Sequence, residues 1–248
     1  MPGFRCECAG ARMVHVGIGF FLWWGLCVAT LGLIGIALFP DQRPIALRTG
    51  LCTAPFGLLE FIFVPEYWNP SHLFGKWLSI EAVSFAFGSG ILAWLAAVVP
   101  FASRVTSNFN GSIFRLRYAQ IGLLLLATIA LTWREALGFV ALPSGESSLL
   151  ALVVVGEFLL GRRPDAWPFA CAGSFGFGLI YASQLIALGR LVPNVVLFWS
   201  PEVREGLVLF GFPIEEMMWA ALFGAVCPLA TVYVNEVRFC METVPNEK

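Results

Sequence analysis

Five glutamates lie in or at the edges of apolar runs: Glu60, Glu81, Glu157, Glu215 and Glu216. An acidic side chain at the centre of a bilayer costs about 2.5–3.5 kcal/mol on insertion scales, so each needs a reason to be there. Snorkelling to the interface is one ordinary reason. The preference of acids for helix N-termini is another. Either accounts for a single glutamate. They account less well for Glu81 and Glu215, which occupy matching places in two similar stretches of chain. A carboxyl held away from water keeps its proton to higher pH, and so is a proton donor. Glu215 and Glu216 are adjacent, and like charges disfavour ionising both. One turn deeper on the same helix face, Phe85 follows Glu81 and Trp219 follows Glu215. Each ring either packs in a bundle or steadies a cation through its π face. The chemistry indicated is proton transfer to an apolar molecule, with aromatic walls around a positive charge.

Other chemistries are poorly served. The histidines are His15 and His72 only, so no His-rich metal site is expected. Cys6 and Cys8 have metal-ligand character but no second Cys/His pair, and a free terminus is the stronger reading. Of the seven cysteines, four fall in apolar runs, where a thiol behaves as a small hydrophobe; no disulfide framework emerges. Gly173, Gly176 and Gly178 lie in an apolar helix rather than after a strand, so no nucleotide cofactor is expected. There is no G-x-S-x-G elbow. The only lysines, Lys76 and Lys248, lie outside apolar runs, which disfavours a retinal Schiff base.

The elements that must position these carboxyls are membrane helices. The 248 residues are 58% hydrophobic and 12% charged, with a mean hydropathy of +0.81. Soluble domains carry about twice that charge. A net charge of -1 gives no reason to expect nucleic acid. Seven spans of roughly 20 residues are expected near 14–39, 46–65, 79–101, 118–136, 142–161, 167–191 and 211–235. The first run is too long for a signal-peptide core and reads as a retained helix. The fifth is interrupted at its start by Pro143, Gly145 and Glu146, so six helices with a re-entrant segment is the alternative. Residues 1–248 form one all-α integral-membrane domain with no room for a soluble one. Basic residues divide six against nine, which places the N-terminus outside and the C-terminus in the cytoplasm of a cell membrane.

An internal repeat runs through the chain. Val64-Pro65, Trp68-Asn69-Pro70, Ile80-Glu81 and Gly90 are echoed by Val192-Pro193, Trp199-Ser200-Pro201, Ile214-Glu215 and Gly224. Glu81 and Glu215 stand 134 positions apart, as do Gly90 and Gly224. An even number of crossings separates spans three and seven, so the halves are parallel repeats. Repeat one covers about 14–101 and repeat two about 142–235, joined by a connector helix near 118–136. The loop Pro65-Glu66-Tyr67-Trp68-Asn69-Pro70 carries two aromatics that an interfacial belt explains. Glu66 and Asn69, between the prolines, are less easily explained. Glu60, Glu66, Tyr67, Trp68, Asn69, Phe85, Trp199 and Trp219 are therefore candidate substrate-binding residues, and Glu81, Glu215 and Glu216 candidate catalytic ones.

Three segments together, Phe63–Pro70, Ile80-Glu81 with Phe85, and Gly211–Trp219 followed by Gly224, resemble the lycopene cyclase domain. This membrane-integral family occurs as two-subunit enzymes and as fusions, and the resemblance covers about residues 45–235. It implies a non-redox isomerisation of a linear carotenoid. An acid protonates the terminal double bond of a ψ end, the tertiary cation is captured by a second double bond, and a base removes a proton to leave a ring. The implied substrate, a C40 polyene on the order of 30 Å long, matches the hydrocarbon thickness. The family uses no dinucleotide. Its partners here would be that lipophilic substrate and membrane lipid, with a homo-oligomer as an option. Where the family often has a second acid after the first-half glutamate, this chain has Ala82, which shifts the chemistry toward Glu215 and Glu216. Two alternatives are a carotenoid- or lipid-binding protein without catalysis, and a membrane protease of the CAAX-processing type. The second lacks the arginine required after the glutamate pair and any intramembrane histidine.

Overall fold

The structure is a computed structural model that describes residues 19–64, 66–70, 79–107, 110–192 and 194–239. Cys6, Cys8, His15, His72, Lys76 and Lys248 lie outside the described residues. Seven helical stretches are long and apolar enough to cross a bilayer: Phe20–Leu38, Pro40–Phe63, Ile80–Phe101, Gly111–Thr132, Ser144–Arg162, Pro164–Leu191 and Ile214–Val234. The protein is thus an all-α membrane bundle. Its helices are α1 (Phe20–Leu38), α2 (Arg43–Thr53), α3 (Glu60–Phe63), α4 (Ile80–Val98), α5 (Gly111–Thr132), α6 (Ser144–Arg162), α7 (Trp167–Leu191), α8 (Pro201–Arg204) and α9 (Ile214–Val234). Two short antiparallel ribbons close the ends, β1 (Val105–Ser107) with β4 (Val237–Phe239) and β2 (Val208–Leu209) with β3 (Phe212–Pro213).

The fourth and fifth spans differ from expectation in instructive ways. The fourth begins at Gly111 rather than near 118, because the Asn110 side chain caps it, accepting from the amides of Ser112 at 3.1 Å and Ile113 at 3.4 Å. Arg115 and Arg117 then fall inside the helix. Arg117 is accommodated at the end of the bundle, donating to the Tyr233 carbonyl at 2.7 Å and pairing with Glu236 at 3.2 Å. The fifth span is a continuous helix and not a re-entrant segment. Pro143 is its N-cap, where the missing N–H interrupts no intrahelical bond, and Gly145 and Glu146 occupy the first turn.

The second span is not one regular helix. Pro55 cannot donate an N–H, and the chain tightens into a 3-10 stretch over Ala54–Leu59 between α2 and α3. Irregular backbone at membrane depth is tolerated where it lines a cavity, and Phe56, Gly57 and Leu59 do line one. A Cβ on Gly57 would stand 2.5 Å from the Ala82 carbonyl, so the distorted span presses directly on the start of α4.

α4 is the centre of the bundle, with α1, α2, α7 and α9 packed around it. Its closest crossing is with α1. A Cβ on Gly25 would meet the Glu81 carbonyl at 2.5 Å, and one on Gly88 would meet the Ala29 amide at 2.5 Å. Small residues permit this approach, the main source of helix association where lipid is as apolar as the side chains. α9 packs chiefly against α7 and then α6. A Cβ on Gly224 would lie 2.5 Å from the Gly173 carbonyl of α7, while Gly90 is pressed by Thr53 of α2. Pro228 inside α9 leaves the Gly224 carbonyl without its helical donor, and that carbonyl is turned against Gly173.

These crossings make a prediction. Gly88→Val and Gly224→Val should each lower the detergent-solubilised melting temperature or prevent accumulation, since overpacking a tight site costs about 1–3 kcal/mol. Gly178→Val, where a Cβ meets nothing within 4 Å, should be close to wild type. Equal melting temperatures for all three would show that the crossings are not close-packed in the membrane.

Candidate functional site: a carboxyl-ended slot

One face of α9 opens onto a cavity of about 290 Å³ along its whole length. From Glu215 at its start to Asn235 just past its end, both of which line the cavity, the helix advances about 30 Å. The opposite walls come from the irregular second span and from α4, α5 and α6. Lining residues that follow α9 from one end to the other describe an elongated slot. Its walls are apolar, with carboxyls gathered at the end where α9 begins.

Glu216 is the polar centre of that end. It is 8% exposed. Oε1 accepts from Trp199 Nε1 at 2.8 Å and from the Tyr67 hydroxyl at 3.0 Å. Oε2 faces the Tyr181 hydroxyl at 2.5 Å. An indole N–H only donates, so Oε1 is the acceptor oxygen in either protonation state, and a proton on this carboxyl belongs on Oε2 beside Tyr181. Burial, reinforced by the Glu216 carboxyl, pushes the Tyr67 phenol up, so Tyr67 stays protonated and available as a donor.

Those donors come from separate parts of the chain, brought together by the two W-x-P loops. Trp68 and Trp199 form an antiparallel bridge. On either side of it the Asn69 amide donates to the Phe198 carbonyl at 2.6 Å, and the Ser200 amide to the Tyr67 carbonyl at 2.9 Å. The loops expected on one face are therefore zipped together there. Along this edge both Tyr67 and Trp68 turn to the slot. Asn69 is exposed, and its part is played by its backbone.

Glu66 also turns away from the slot. Its carboxylate pairs with Arg134 at 2.6 Å and accepts from Trp133 Nε1 at 2.9 Å and the Ser144 amide at 3.2 Å. It brackets the loop to the end of α5 and the start of α6, and Glu66, expected as a substrate contact, is not among the residues lining the slot. Asn69, expected as a substrate contact, pairs the loops through its backbone and is not among the residues lining the slot.

Glu81 is fully buried but is not part of the slot wall. It stands beside Ser79, whose hydroxyl caps α4 by accepting from the Ala82 amide at 3.0 Å and lies 3.5 Å from Glu81 Oε2. Glu60, also buried, does line the slot. The two helix starts are not equivalent in what they offer the slot: Glu215, second in α9, lines it, whereas Glu81, second in α4, does not. Glu216 is the third residue of α9, and the third residue of α4 is Ala82, which lines the slot without a carboxyl. Glu60, from the second span, supplies the missing one. Glu215 lines the slot, with Oε2 buried and without a hydrogen-bond partner among the described residues.

Above the carboxyls the wall is aromatic. Phe85 and Trp219, 134 positions apart in sequence, face each other with ring centroids at 6.1 Å. Tyr181 stands 5.4 Å from Trp219, and Trp24 stands 5.1 Å from Phe85. Trp68 and Trp199 complete the ring at 6.2 Å. Tyr181 and Trp24 were not anticipated. The one available signal was polarity within an apolar span, because a buried tyrosine hydroxyl needs a partner.

No protein-family model, no curated protein and no solved structure matches this chain. What its fold and site define is a class: an integral membrane helical bundle enclosing a slot with carboxyls at one end.

Glu66 supports a prediction. Glu66→Ala strands two donors and an arginine and should destabilise the solubilised protein by about 2–3 kcal/mol. Arg134→Ala, removing a half-exposed partner, should cost under about 1 kcal/mol. Thermal melts in detergent with intrinsic tryptophan emission compare them; the reverse order would contradict the bracket.

Proposed function

We propose that the protein is a carotenoid cyclase of the lycopene cyclase type, closing a ring at the ψ end of a linear carotenoid by acid–base chemistry. The observation that carries this is the shape of the slot: about 30 Å of apolar wall ending in buried carboxyls inside an aromatic box. A polyene rod fits that geometry, and an alkene needs the strong, water-excluded acid that such an end provides. The resemblance of the two glutamate-bearing stretches to that family points the same way.

On this reading Glu216 is the acid. Protonated on Oε2, it gives its proton to the terminal double bond, while Oε1 keeps its donors from Trp199 and Tyr67. The carboxylate left behind is stabilised by three hydrogen bonds already in place. Phe85, Trp219, Tyr181 and Trp24 surround the carbon that becomes positive, and their faces stabilise it. Ring closure moves the charge, and a neighbouring carboxylate takes the final proton; Glu215 and Glu60 line the same slot. Glu81, beside Ser79 and off the slot wall, is a positioning residue. The reaction is balanced, one proton in and one out. The favoured setting is the cell membrane, with the N-terminus outside, the C-terminus cytoplasmic and the carboxyl end of the slot toward the outer leaflet.

The test is expression in cells that accumulate lycopene, with pigments separated by chromatography. Wild type should yield ring-bearing products. In Glu216→Gln the amide oxygen can replace Oε1 and the amide N–H can donate to Tyr181, so the hydrogen bonds persist and only the transferable proton is lost. Product should fall at least about a hundredfold, the usual worth of a general acid, with the protein still in the membrane. Glu81→Gln should lose less. Unchanged product in Glu216→Gln would refute the assignment. Wild-type protein that binds the rod without converting it would replace the enzyme with a binding protein.

A further inference from the structure

The end of the slot far from Glu216 is also polar, in a different way. Thr49, Tyr118, Thr231 and Asn235 line it. Thr49, Thr231 and Asn235 are 4%, 3% and 1% exposed. Their hydrogens are largely committed to backbone. The Thr49 hydroxyl donates to the Ile45 carbonyl at 2.9 Å, Thr231 to the Cys227 carbonyl at 2.9 Å and Tyr118 to the Cys52 carbonyl at 2.7 Å. The two threonine oxygens also stand 3.1 Å apart. Two hydroxyl protons thus serve three contacts, and lone pairs are left over. Asn235 Nδ2 donates to the Thr231 carbonyl at 3.0 Å, which fixes the amide orientation. Its Oδ1 is then buried with no hydrogen-bond partner among the described residues. A buried acceptor of that kind is costly unless something donates to it.

We infer that this pole is a subsite for a hydroxyl group, so that the slot's ligand is a linear carotenoid hydroxylated at the end away from Glu216. The inference rests on the rod-shaped occupant proposed above and adds the chemistry of its second end. An acceptor-rich pole selects a donor. Its distance from the carboxyl end, about 30 Å along α9, places that donor at the opposite terminus of a C40 rod. A pure hydrocarbon end would leave Asn235 Oδ1 unanswered.

The experiment compares two rods, lycopene and its 1-hydroxy-1,2-dihydro derivative, by quenching of tryptophan emission in protein reconstituted into phosphatidylcholine nanodiscs. The hydroxylated rod should bind roughly three- to tenfold tighter, the worth of one net hydrogen bond. Thr49→Val, nearly isosteric, and Asn235→Leu should each reduce that preference while still binding lycopene, which reports an intact slot. Equal wild-type affinities would overturn the subsite and leave the rod-shaped ligand standing, as would a preference that survives in both variants. Failure of wild type to bind either rod would overturn both readings together.

Discussion

A carboxyl group among hydrocarbon has to be surrounded by donors, and the assembly around Glu216 follows from that requirement. One donor comes from each W-x-P loop and one from α7, so the residue ties together segments that are more than a hundred positions apart. The loops in turn meet as a short antiparallel pair, and Glu66 fastens the first of them to α5 and α6. Remove the carboxyl and these hydroxyl and indole groups lose their common acceptor. The polar end of the slot is therefore also the clasp of that end of the bundle.

The slot itself depends on backbone irregularity. A straight second span would lie flush with its neighbours. Pro55 and the 3-10 stretch around it shift the wall, and Gly57 lets the displaced segment rest on the Ala82 carbonyl. That segment also leads into Glu60, giving the first half of the chain a cavity-facing carboxyl where the third residue of α4 offers only alanine.

Much of this was legible in the sequence, and the reasons differ by feature. Apolar run length identified all seven spans, because the bilayer imposes it. The start of α5 was misplaced because Arg115 and Arg117 read as loop, and only tertiary contact with Tyr233 and Glu236 reveals why they are tolerated. Repeat spacing pointed to Glu81 and Glu215, helix-face spacing to Phe85 and Trp219, and adjacency to Glu216. It could not distinguish Glu81 from Glu60, because which carboxyl faces the slot depends on a 3-10 stretch with no periodic signature. Trp23 and Trp24 are identical in type, yet one is 68% exposed and the other 6%. Rotation about the α1 axis decides between them, and rotation is set by the glycine contacts with α4.

The two poles of the slot are chemically unlike, and this has a kinetic meaning. The rod proposed as its occupant would present one terminus to the carboxyls and the other to the threonines and asparagine. Two identical termini cannot be handled in a single visit. The rod would have to leave, turn end for end across the bilayer and enter again, so any second event is distributive and competes with fresh molecules arriving from the lipid. On the proposed reading, a rod with unlike termini would be sorted instead: only one direction of entry would satisfy both poles, and each molecule would be released after one event.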